Sequence, residues 1–206
     1  MHTISRSRLR PTLILLGLLL CLPLAATAVE SPEEVQRATP FDIPHWFKTS
    51  FLDLQEDVAH ATAADKRLLM YIGQEGCPYC RELMQNNFSQ KPIVDLTRKH
   101  FDVLAINMWG DAEVTDFSGK HLTEKEFAKQ LKVQFTPTLL FFDEQGKVVL
   151  RLNGYLPPHQ FTAALQFVAG HKEKTVSFRE YYAGIAPAPA SGTLHMAPYM
   201  LHPPYK

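Results

Sequence analysis

Cys77 and Cys80 stand three positions apart in the run Gly76-Cys77-Pro78-Tyr79-Cys80-Arg81. Two thiols at that spacing can meet on one helical turn and pass between dithiol and disulfide. The run follows an apolar stretch of strand length, 68–72, and opens a segment with helical patterning. Cys77 then falls at the N-cap and Pro78 at the first helical position, where a missing N–H breaks no bond. Unpaired N–H groups at a helix start favour negative charge. The position therefore predicts a stabilised thiolate at Cys77, a nucleophile near neutral pH. Cys80, one turn further in and expected to be the more buried, would resolve the mixed disulfide that Cys77 forms with a substrate. Arg81 would add to the positive field and Glu75 would oppose it. Other readings stand beside this one. A structural disulfide between neighbouring turns would staple very little. A zinc site would need two more ligands, and the chain has no second cysteine pair, which leaves nearby histidines. A vestigial pair is the third.

A second element is Thr136-Pro137-Thr138, ahead of the apolar run 138–142. A proline there removes a ladder donor, and a plain strand-start proline is the simpler reading. The nine histidines form no clear ligand set. His195, Met196, Met200 and His202 sit in the C-terminal tail, where they could hold copper weakly or simply be solvated. His45, His60, His100, His121, His159 and His171 are scattered singly and read as surface or packing residues. Trp46 and Trp109 read as packing aromatics, although the long loop carrying Trp109 could border the cysteine pair.

These residues need a scaffold, and the patterning supplies one. A helix is predicted over 44–64, where Trp46, Phe47, Phe51, Leu54, Val58 and Ala59 recur at helical spacing. Helices are also predicted over 78–88, over 93–99, from Thr123, and from Pro157-Pro158 through Val168. Strands are expected at 68–72, 101–106, 138–142 and 147–152. Glu144-Gln145-Gly146 marks the hairpin between the last two. Thr123 with Glu126 forms a capping box, and Leu122 with Phe127 a staple. Residues 120–129 alternate in charge and read as a solvated helix face, and 107–122 read as a long polar loop. Strands alternating with helices, then a hairpin, predict an α/β fold: a central mixed sheet flanked by helices, with an extra N-terminal helix.

The ends differ from the middle. Arg6, Arg8 and Arg10 precede an apolar stretch, and Ala26-Thr27-Ala28 has the small-x-small pattern of a cleavage site. Residues 1–28 thus read as a signal peptide, since the apolar run is well short of the roughly 20 residues of a spanning helix. Cleavage would place the mature chain in the periplasm and leave Cys77 and Cys80 as its cysteines. Residues 29–40 read as a flexible leader, 41–182 as the folded domain, and 183–206 as a disordered Pro/Ala-rich tail. With 21 basic and 21 acidic residues in 206, the chain lacks the charge for a broad nucleic-acid surface. At 46% hydrophobic it can build a full core, and three cysteines are too few for a disulfide-stapled miniprotein.

A strand, a Cys-x-x-Cys at a helix start, and Thr-Pro-Thr ahead of a hairpin together resemble the thioredoxin fold, over roughly 41–182. The resemblance implies that Pro137 is a cis-proline facing a Cys77–Cys80 disulfide. It implies that Thr136 offers backbone hydrogen bonds to an extended substrate, with the turn at Gly154 on the same surface. Pro44-His45-Trp46-Phe47, the run Val114 through Lys120, Phe135-Thr136-Pro137-Thr138, Gly154-Tyr155-Leu156 and Ser177-Phe178-Arg179-Glu180-Tyr181 are similar to the periplasmic SoxW-type branch. Membership there implies protein or sulfur-carrier thiols as substrates and a membrane-bound thiol electron donor or acceptor, with no cofactor. A disulfide oxidase or isomerase of the periplasm would use the same residues. Three departures from cytoplasmic thioredoxin stand out. Gly76 replaces the preceding Trp, Pro78-Tyr79 replaces Gly-Pro, and Tyr71 falls where thioredoxins bury an acid.

Overall fold

The computed structural model describes residues 43–185. The segments read as signal peptide and leader, and the tail beyond Ile185, lie outside the described residues. Four strands form the main sheet: β1 (Arg67–Gly73), β2 (Phe101–Asn107), β5 (Thr138–Phe142) and β6 (Val148–Asn153), in the order β2-β1-β5-β6. β1 runs parallel to β2, antiparallel to β5, and β5 antiparallel to β6, so the sheet is mixed as expected. Every residue of β1 is buried, because helices cover both faces. Leu68, Met70 and Ile72 face one cluster, with Leu54 and Val58 of helix α1 (Leu54–Ala63) and Phe127 of α4 (Glu124–Gln130). Leu69 and Tyr71 face the other, with Phe161, Leu165 and Phe167 of α5 (Pro158–Ala169) and Phe178 of α6 (Phe178–Ile185). The alternation is the two-residue period of a pleated strand. Among the described residues no helix is long and apolar enough to cross a membrane.

Three boundaries differ from the sequence reading. The helix expected from Pro44 begins only at Leu54. Leu52 takes a left-handed φ of 62°, and the Asp53 carboxylate then caps the N–H groups of Gln55 and Glu56 at 3.1 Å. The preceding segment is held by non-local pairing: Lys48 N–H donates to the Val103 carbonyl, and Asp53 bridges to Thr115. Phe47 still reaches the core, but Phe51 is 88% exposed. The loop predicted over 107–122 contains a hairpin, β3 (Glu113–Thr115) with β4 (His121–Thr123). Asp116 organises its turn by accepting from Ser118 Oγ, Ser118 N and Lys120 N, which holds its carboxyl well below the usual range. The last helix, α6, continues to Ile185, past the tail boundary placed at 183. The capping box at Thr123 and Glu126 is present, and Gly146 has a φ of 76° in the predicted turn.

At the edge where β1 begins lies a charge network around a buried arginine. Arg67 is 4% exposed and donates to Glu144 Oε1, Glu173 Oε1 and the Val168 carbonyl at 2.8, 2.8 and 2.9 Å. The Arg67 guanidinium holds the Glu144 carboxyl down to about 2, against its ordinary 4.5. A depressed carboxylate adds stability above its unfolded value and loses it as pH falls through the folded one. Stability should therefore decline from about pH 4.5 toward pH 2, and Glu144→Gln should flatten that decline. Urea melts at pH 6 and pH 3 check this, and equal losses in both proteins would refute it.

Candidate active site

β1 ends at Gly73, and four residues later Cys77 caps α2 (Pro78–Glu82), with Pro78 in its first turn. Gly76 supplies the turn with a φ of 71°, a conformation that a side chain would strain. The helix continues without a break as a π-helical turn, Leu83–Asn87, so the segment expected as one helix is there with a widened second half. Cys77 and Cys80 form a disulfide with Cα atoms 5.2 Å apart. The Cys80 N–H points at Cys77 Sγ, 3.1 Å away, as a helix-start donor should. Cys77 is 6% exposed and Cys80 5%, so the expected difference in burial is not there.

Opposite the disulfide is the turn before β5. The Thr136–Pro137 peptide is cis. Thr136 Oγ1 donates to Cys77 Sγ at 3.3 Å, and its carbonyl oxygen lies 3.5 Å from the same sulfur. The structure thus brings Cys77, Cys80, Thr136 and Pro137 together. Gly154, with a φ of 82°, donates its N–H to the Pro137 carbonyl at 2.7 Å, which places the turn after β6 against the same loop. Pro78 and Tyr79 are exposed, Tyr79 by 58%. Beneath the site, Phe47 packs edge-on against Tyr71 and Phe88, and Phe88 against Phe161. Tyr71 is 1% exposed, and burial pushes its phenol upward, so it stays protonated at neutral pH and is no substitute for a carboxylate base. Glu75 and Arg81 are exposed.

Sequence reasoning missed the residues that hold the Thr136 loop. Arg151 in β6 is 6% exposed and donates to Asn153 Oδ1 at 3.0 Å and to the carbonyls of Leu131 and Lys132 at 2.7 and 3.2 Å. Thr138 Oγ1 is 3.3 Å from the same Asn153 oxygen and donates to the Phe135 carbonyl at 2.7 Å. This polar network ties the end of α4 and the turn at 135–137 to the sheet. An arginine amid the apolar run of β6 was the available signal, since a buried cation must find acceptors. Trp109, suspected of bordering the site, donates its indole N–H to Gln74 Oε1 at 2.7 Å, three residues ahead of Cys77. Among the described residues no group of three His, Cys, Asp or Glu is placed to hold a metal ion. His195, Met196, Met200 and His202 lie outside the described residues.

A family model described as a thioredoxin-like domain matches residues 54–169. The thiol:disulfide interchange protein DsbD of Pseudoalteromonas atlantica is 26% identical over 113 residues, which are 54% of this chain and 17% of that protein. The chain therefore spans less than a fifth of that relative's length. A thioredoxin-fold protein from Helicobacter pylori is similar with a TM-score of 0.50 and 27% identity, over 65% of this chain and 95% of that one. The periplasmic thioredoxin SoxS of Paracoccus pantotrophus matches with a TM-score of 0.37 and 21% identity, over 52% of this chain and 99% of that one.

Proposed function

The chain belongs to the thioredoxin-like family, and we propose that it is a periplasmic thiol–disulfide oxidoreductase working through Cys77 and Cys80. The observation that carries this reading is the disulfide itself, set at a helix start with the Cys80 N–H and the Thr136 hydroxyl both directed at Cys77 Sγ. Those donors stabilise negative charge on that sulfur. In the reducing direction, the Cys77 thiolate attacks a substrate disulfide and displaces one substrate thiolate. Cys80 then attacks Cys77 Sγ, closes the internal disulfide and releases the second substrate thiol. Two electrons pass from the pair to the substrate, so no cofactor is required.

Thr136 and Pro137 are assigned the substrate-facing role, with Pro78 and Tyr79 exposed on the same motif. The periplasmic location rests on the signal-peptide pattern of residues 1–28. The reductant role, with a membrane-bound thiol donor and protein or sulfur-carrier substrates in the SoxW manner, rests on the sequence segments quoted above. Equilibrating the protein with glutathione buffers and following the Cys77–Cys80 disulfide tests the direction. A potential near about −270 mV supports a reductant that must be supplied with electrons. A potential at or above about −180 mV would replace that reading with an oxidase or isomerase.

A further inference from the structure

Trp109 is 59% exposed, yet its ring is fixed by the indole hydrogen bond to Gln74. Beside it opens a groove of ≈ 440 Å³ lined by Met108, Trp109, Ala128 and Val133, together with Lys125 and Lys129. Lys125, Ala128 and Lys129 share one face of α4 at the i, i+3, i+4 spacing. The acids of that helix's first turn are occupied elsewhere. Glu124 accepts from the Asn107 N–H, and Glu126 closes the capping box. Lys132 also lines the groove, so three lysine ammoniums dominate its charge.

We propose that this groove docks the protein partner that exchanges electrons with Cys77, and that it takes an apolar side chain flanked by carboxylates in the segment next to the partner's reactive cysteine. The proposal rests on the redox reading above. Its first support is position. Gln74, which holds Trp109, is three residues from Cys77, and Val133 at the other side is three residues from Thr136, which touches the sulfur. A span of three residues is at most about 11 Å, so Gln74 and Val133 each lie within that backbone distance of a residue at the disulfide, and a short extended segment of a partner can engage both. The second is composition. A fixed aromatic beside an apolar recess is the usual anchor of a protein interface, and the cations form a polar rim. Phe135, 47% exposed, prolongs the apolar surface toward Thr136. The third is charge complementarity, since the ammoniums of Lys125, Lys129 and Lys132 favour an acidic segment and repel a basic one.

The test uses the reduced protein, freed of reductant, in single turnovers with two disulfide-linked peptides of equal length. One carries leucine between two aspartates, three residues from the cysteine; the other carries lysines in place of the aspartates. The pair supplies both electrons, the peptide disulfide is reduced to two thiols, and released thiol is counted. The acidic peptide should react about tenfold faster, with the advantage shrinking at high salt. Lys125→Glu/Lys129→Glu should invert the preference, and Trp109→Ala should slow both peptides. All variants should reduce 2-hydroxyethyl disulfide, which is too small to fill the groove, at the wild-type rate. Equal rates for the two peptides, or a preference that survives charge reversal, would overturn the proposal. Failure of the wild type to reduce even 2-hydroxyethyl disulfide would instead sink the redox reading beneath it.

Discussion

Cys77→Ser is expected to abolish disulfide exchange, lowering its rate by more than about a thousandfold. A serine hydroxyl is not ionised near neutral pH and forms no bond that a second thiol can exchange. Cys80→Ser should behave differently. Attack by Cys77 survives, but nothing resolves the product, so the variant should accumulate as a covalent mixed disulfide with its substrate. Burial does not choose between the two sulfurs, which are 6% and 5% exposed. The choice rests on the donors: the Cys80 N–H at 3.1 Å and the Thr136 hydroxyl at 3.3 Å both serve Cys77 Sγ. Non-reducing mass spectrometry after mixing each variant with a peptide disulfide separates the outcomes. Adducts on Cys80→Ser alone support the assigned roles. Adducts on Cys77→Ser alone would reverse them, and steady exchange by Cys77→Ser would sink the assignment.

How much of this site could be read from the sequence depends on how locally each part is encoded. The cysteine pair was legible because a capping residue, a first-turn proline and a preceding apolar strand lie within a dozen residues. Thr136-Pro137 was legible as a strand-start signal, but the sulfur facing it is 59 residues away and only the resemblance joined them. Residues 44–53 were misread because their aromatic spacing mimics a helix, while the chain is held by pairing to Val103 and Thr115. The β3–β4 hairpin was missed for a related reason, since three-residue strands carry almost no periodic signal. Its turn was written more plainly: Asp116 and Gly119 are the residues that such a turn requires. Arg151 and the Trp109 groove depend on contacts between distant segments, and neither leaves a pattern in one window of sequence.

The other large effect is expected far from the sulfurs, at Arg67. Its guanidinium is 4% exposed and meets Glu144, Glu173 and the Val168 carbonyl, with His171 Nδ1 2.7 Å away. These partners come from the β5–β6 turn, the end of α5 and the segment after it, so one side chain joins three parts of the chain. Arg67→Met keeps the apolar stem but strips the Glu144 and Glu173 carboxylates of the guanidinium that binds both. Removing one partner of a fully buried pair costs about 3–5 kcal/mol; with Glu144 28% exposed the loss should fall toward the lower end of that range, still above the roughly 1 kcal/mol of a surface pair. Urea unfolding at pH 7 should show that loss as a lower midpoint at unchanged slope. Adding Glu144→Gln and Glu173→Gln to the same variant should recover a large part, because the penalty lies in the stranded charges rather than in the missing bonds. A loss below about 1 kcal/mol would mean that solvent screens the network as it screens an exposed pair. The glutathione-buffer potential should stay at the wild-type value, because Arg67 starts β1 and the disulfide follows its far end, about 20 Å along the strand. A potential that moved with Arg67 would show that the sheet transmits this edge to the sulfurs, and the two ends of β1 could no longer be treated as independent.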